Sequence, residues 1–136
     1  EIFKSKDIEK CLRAAVAWSK WEAATSSLSY KPSLVEEFSD PEFALAFALI
    51  ENHYFINKGW FETENQLIEN IDKIRSIPAV IVQGRYDVVC PMKTAWELSK
   101  AWPEAEMIIA PSSGHTAFEK EITHALISAT NKFSNN

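Results

Sequence analysis

The sequence predicts an α/β fold in which a helical stretch precedes the order strand, loop, helix, strand, loop, helix. Three observations carry this. Residues 79–83 (AVIVQ), bounded by Pro78 and Gly84, and residues 107–110 (MIIA) are short apolar runs of the kind that buried parallel strands use. Each run leads through a loop into a helical pattern, the alternation that builds a parallel sheet. Upstream of about residue 62 the apolar residues recur only at helical spacing.

A first helix is expected over residues 7 to about 26. Ile8, Cys11, Leu12, Ala15, Val16 and Ala17 recur at its period, followed by Trp18 and Trp21. Ser26, Ser27, Ser29 and Pro32 break it. A second helix opens near residues 39–41, where Asp40 suits the cap and Pro41 the first turn, and Gly59 is its expected stop. Apolar residues surround its N-terminal half, which is therefore expected to be buried. A third helix is expected over 63–74, with Thr63 and Gln66 as a capping box and Leu67, Ile68, Ile71 and Ile74 as its stripe. The first strand then runs into the loop GRYDVVCP, a helix over 92–102 stopped by Pro103, the second strand, the loop PSSGHT and a last amphipathic helix over 117–133. The change of pattern divides the chain into a helical segment, 1–62, and a sheet-bearing segment, 63–136. No internal repeat is present.

The 136 residues carry a net charge of −5, are 46% apolar and 24% charged, and include five Trp and eight Phe. One domain of modest size with a large core or an aromatic-lined pocket fits that content. The acidic balance and the lack of a basic run argue against a nucleic-acid partner. The longest apolar run, 43–50, is too short to span a bilayer, so no membrane association is expected, and no signal peptide is visible. Cys11 and Cys90 are too few for a disulfide framework and read as reduced thiols, which places the chain in the cytoplasm.

Two residues carry the chemistry. In open parallel sheets functional groups sit beyond the carboxyl ends of the strands. Asp87 follows the first strand and His115 the second. Alone, the Asp reads best as a turn or cap residue and the His as structural. In register after consecutive strands, the two would lie on the same sheet edge. The acid would then accept the imidazole Nδ1–H, fix the tautomer and stabilise the imidazolium. Acid then His, each after a late strand, is also the chain order of α/β-hydrolases, whose nucleophile comes earlier.

The segments IPAVIVQGRYDVVCP, AWPEAE and SSGH with an acid soon after resemble the C-terminal end of proline iminopeptidases (prolyl aminopeptidases), which are α/β-hydrolases with a helical cap. AVAWSKWEAAT and FALAFALIENHYF extend the resemblance over nearly the whole chain. It implies the C-terminal part of such a fold: the last two parallel strands and their helices, preceded by part of the cap. It implies Asp87 as triad acid, His115 as general base, and Glu22 and Glu51 as cap carboxylates that bind the cationic N-terminus of a peptide beginning with proline. A cation entering an apolar pocket needs such a paired anion. The nucleophile elbow Gly-x-Ser-x-Gly is not found, the only glycines being Gly59, Gly84 and Gly114. The chain is therefore expected to depend on a preceding part of the same enzyme and to be inactive alone.

Other residues carry less. Cys90 is expected near the pocket, where alkylation would impair activity, or else as a small buried packing residue. His53 and His124 read as structural, and Arg85 and Tyr86 as shaping the acid loop. Trp60 and Phe61 suit a pocket wall or a core equally. No cofactor and no metal site are expected, because no cluster of His, Cys or carboxylate ligands has metal spacing. Two other readings stand beside the peptidase: an esterase or amidase on the same fold, and a non-catalytic interaction fragment. Two strands do not make a stable doubly wound sheet, so exposed apolar faces leading to aggregation or a homo-oligomer are also expected.

Overall fold

Two strands, β1 (Val80–Gly84) and β2 (Glu106–Ala110), pair in parallel with Val80 opposite Glu106 and Gly84 opposite Ala110. They form the sheet of a computed structural model that describes residues 2–134. The chain divides into two compact units. One holds the residues up to Thr25 with Ser29–Glu62; the other holds Ser26–Leu28 with the chain from Thr63 onward.

The first unit is helical: α1 (Ile8–Ser26), α2 (Pro32–Glu37) and α3 (Pro41–Ile56). Ala15 of α1 packs with Ala44 and Ala48 of α3, all three fully buried, with Phe3, Val16, Trp18 and Leu45 around them. Asp40 caps α3 as its sequence suggests, its carboxylate accepting from Phe43 N at 2.8 Å. Phe38, Phe43 and Phe47 form a ring cluster with centroids 4.9–5.7 Å apart.

Four details of this unit depart from expectation. Pro32 does not only end α1; it opens α2 at a position where its missing N–H costs nothing. The helix α3 stops at Ile56, ahead of Gly59. Lys58, Gly59 and Trp60 then adopt positive φ values of 52°, 60° and 58°, a left-handed turn. Full burial on the N-terminal half of α3 is limited to Ala44 and Ala48, with Phe43 42% exposed, because one neighbouring helix covers only one stripe of an all-round apolar helix.

In the second unit, α4 (Gln66–Glu69) is a single turn followed by a 3₁₀ turn, Ile71–Lys73, in place of the expected helix over 63–74. Gln66 N donates to the Thr63 carbonyl at 3.3 Å rather than to its hydroxyl. Thr63 Oγ1 donates instead to Glu69 Oε2 at 2.8 Å, and the Asn70 amide donates to the Gln66 carbonyl at 2.7 Å, a local bond that competes with helix propagation. Of the expected apolar stripe only Ile71 is buried, while Leu67 and Ile74 are exposed. Ile71 joins Trp102 and Ala105 in a buried cluster with Ala79, Ile81 and Leu98 packed against it. Between the strands runs α5 (Met92–Ala101), which contacts β1, and α6 (Lys120–Ser134) contacts both strands. Among the described residues no helix is long and apolar enough to cross a membrane.

Ile71→Ala is expected to lower the unfolding free energy by about 2–4 kcal/mol, since the Ile71 side chain fills the space between the 3₁₀ turn and Trp102. Urea denaturation measures this, and a loss below about 1 kcal/mol would show that the cluster closes over the gap.

Candidate active site

Level strand ends set the geometry of the site. Because Gly84 is opposite Ala110, the loops after β1 and β2 leave the same edge of the sheet side by side. Backbone bonds then tie them together: Arg85 N donates to the Ala110 carbonyl and Tyr86 N to the Ser113 carbonyl, each at 2.9 Å. Two glycines permit this approach. A Cβ on Gly84 would lie 1.8 Å from the Gly114 carbonyl oxygen and 2.8 Å from that of Ser113. A Cβ on Gly114 would lie 2.9 Å from Leu28 N. In both cases the obstacle is backbone, which does not rotate out of the way.

The result is a direct contact. His115 Nδ1 lies 3.0 Å from Asp87 Oδ2. A carboxylate is an acceptor only, so the contact places the proton on Nδ1 and leaves Nε2 as the basic nitrogen of a neutral ring. The pair is asymmetric in exposure: the Asp87 side chain is 5% exposed and that of His115 39%. The acid is fixed and dry, while the base keeps a face to the outside.

Asp87 is held from four directions. Its Oδ1 accepts from Val89 N at 3.0 Å and Cys90 N at 2.7 Å. Its Oδ2 accepts from Gln83 Nε2 at 3.1 Å as well as facing His115. The turn-capping role of an Asp after a strand and the imidazole-binding role thus coexist, one on each oxygen. Gln83 also donates to the Cys90 carbonyl at 3.0 Å, so a single amide at the end of β1 fixes both the carboxylate and its loop.

The His115 loop is held by acids at the start of the last helix. Glu119 accepts from Gly114 N through Oε2 and from Leu28 N at 2.7 Å through Oε1. Glu121 accepts from Ser112 N at 2.7 Å and from Ser113 Oγ at 3.2 Å. The Ser26 carbonyl accepts from His115 N at 2.9 Å and Thr116 N at 2.8 Å, which is why Ser26–Leu28 belongs with this unit although it lies at the end of α1 in sequence. Gln83, Glu119 and Glu121 were not singled out from sequence. The acid soon after SSGH was the one visible trace of Glu119.

The structure thus brings Asp87 and His115 together, within the second unit. The other two candidate residues lie in the first. Glu51, on α3, accepts from Trp18 Nε1 at 2.6 Å. Glu22, half-buried on α1, is one helical turn beyond Trp18, on the same face. Cys90 is exposed, so the reading of it as a buried packing residue fails; its amide and carbonyl are tied to Asp87 and Gln83. His53 and His124 sit on α3 and α6, both exposed, and His53 stacks edge-on with Trp60 at 5.2 Å. Trp60 and Phe61 are 55% and 46% exposed, so neither is a core residue of its unit. Among the described residues no group of three or more His, Cys, Asp or Glu is placed to hold a metal ion.

A family model described as TAP-like protein matches residues 34–133. The chain is 59% identical over 129 residues to the probable proline iminopeptidase of Leptolyngbya boryana, covering 95% of this chain and 40% of that protein. It is 55% identical over 130 residues to the proline iminopeptidase of Xanthomonas citri, covering 96% of this chain and 42% of that protein. It is 52% identical over 128 residues to the proline iminopeptidase of Arabidopsis thaliana, covering 94% and 34%. The chain therefore spans about two fifths of the length of the first of these relatives.

Gly84→Ala is expected to force the two loops apart and to lower the stability of the second unit by about 1–3 kcal/mol, the usual cost of overpacking. An unchanged denaturation midpoint would show that the loops separate without penalty and that their approach is not enforced.

Proposed function

This chain belongs to the α/β-hydrolase family described as TAP-like protein, and from that membership we propose that it supplies the acid and base of a serine exopeptidase that releases N-terminal proline from peptides. The observation that carries the reading is the 3.0 Å contact between His115 Nδ1 and Asp87 Oδ2 at the carboxyl edge of two parallel strands. Relatives named proline iminopeptidase at 52–59% identity support the substrate.

In this reading His115 Nε2 removes the proton from a serine hydroxyl supplied from outside these 136 residues, since no Gly-x-Ser-x-Gly occurs among them. The serine oxygen attacks the prolyl carbonyl. His115 returns the proton to the departing amine, and water, deprotonated by the same nitrogen, releases proline from the acyl-enzyme. Asp87 holds the ring and stabilises the imidazolium between these steps, and its four hydrogen-bond partners keep it from turning away. Residues 63–136 contribute to the catalytic core and residues 1–62 to a helical cap. In the cap, Glu22 and Glu51 pair with the cationic nitrogen of the N-terminal proline. That requirement selects free N-termini and excludes internal peptide bonds. Two cysteines that form no disulfide suit a reducing compartment such as the cytoplasm.

In the full-length enzyme, His115→Ala is expected to lower kcat/KM for proline β-naphthylamide by about three orders of magnitude or more. Near-normal turnover would refute the assignment. Glu22→Gln with Glu51→Gln is expected to impair the naphthylamide far more than a neutral ester such as p-nitrophenyl butyrate. Equal losses on both would favour an esterase.

A further inference from the structure

We infer that Trp18 is a positioning residue for the substrate ammonium, acting through Glu51; the inference rests on the reading of Glu51 given above. The indole Nε1–H of Trp18 donates to Glu51 Oε2 at 2.6 Å, across 33 residues of sequence. It is the only hydrogen atom the indole ring has to donate to such a partner, and it is spent on this carboxylate.

The ring itself cannot wander. Phe3 meets it edge-on at 6.3 Å and Phe55, one turn beyond Glu51 on α3, lies tilted against it at 6.0 Å. Trp18 also packs on the buried alanine seam of Ala15, Ala44 and Ala48. The donor is therefore anchored against the core of its unit, and the glutamate it holds is itself half-buried on α3. Glu22, one turn further along α1, shares the helix face of Trp18.

A glutamate side chain left to itself loses substantial rotamer freedom when it pairs with a ligand cation. A bond from a fixed donor removes that freedom beforehand. It also occupies one oxygen, Oε2, and leaves Oε1 to pair with the ammonium. The gain belongs to binding: the ammonium is paired equally in the ground state and in the transition state, so loss of the positioning should appear in KM and leave kcat little changed.

The test is a double-mutant cycle in the full-length enzyme with proline β-naphthylamide and p-nitrophenyl butyrate as substrates. Trp18→Phe keeps an aromatic ring and removes the donor. It is expected to raise KM for the naphthylamide about tenfold, the scale of one charge-assisted hydrogen bond, with an effect on the ester smaller by about the same factor. In a Glu51→Ala background the same substitution should add less than about twofold, because the group it acts through is gone. Should Trp18→Phe fail to fold, Trp18→benzothienylalanine preserves the shape of the ring without its N–H and gives the same readout. A selective rise in KM with Glu51→Ala but none with either Trp18 variant overturns the positioning role and leaves the reading of Glu51 intact. Equal losses on both substrates with Glu51→Ala overturn that reading and the positioning role with it. Fully additive effects in the cycle overturn the claim that Trp18 works through Glu51.

Discussion

The Asp87 carboxylate is shared between its own loop and the imidazole of His115, and the arrangement of the second unit depends on that sharing. One oxygen closes the turn after β1 through the amides of Val89 and Cys90; the other meets Gln83 and His115. A buried carboxylate is tolerated only when its acceptor sites are used. Here they are used by groups from both loops, so the fold and the candidate chemistry impose the same requirement. The backbone approach of Gly84 to Gly114 brings the loops close enough for this. The acids at the start of α6 keep the His115 loop in place by taking up its amides.

Much of this was legible in the sequence, for identifiable reasons. Short β-branched runs flanked by Pro and Gly carry a strong local signal, and the strands fall within a residue of their expected limits. Asp40 before Pro41 is a local signal of the same kind. The Asp87–His115 contact followed from placing two polar residues after consecutive strands, a matter of topology rather than of side-chain detail. Features that failed to show were set by competition or by distance. The expected third helix gave way because Asn70 and Thr63 bond locally in ways that a periodic stripe does not reveal. Pro32 reads equally as an end and as a beginning. Glu119 reaches Leu28 across 91 residues, a contact with no counterpart in local pattern. Gln83 looked like the last residue of a strand, and its amide matters only once the loop folds back over it.

The first unit follows a different logic. Its core is built from alanines of α1 and α3, and its larger aromatics surround that seam rather than fill it. Trp18 is the exception, because its polar edge is used as well as its face. That combination is what the residue offers when it is partly buried: a large apolar surface with one directional donor. The left-handed turn at Lys58–Trp60 sets the ring of Trp60 against His53 and Tyr54, each at 5.2 Å, which gives the end of α3 its own aromatic cluster.

The most direct test of the central contact is the protonation and bonding of the His115 ring, observed by nitrogen and proton NMR on protein labelled at histidine. A proton on Nδ1, strongly deshielded by a carboxylate and shifted upfield in Asp87→Ala, is the expected result. A ring protonated on Nε2, or an Nδ1 proton indifferent to that substitution, would contradict the pairing of the two loops and the account built on it.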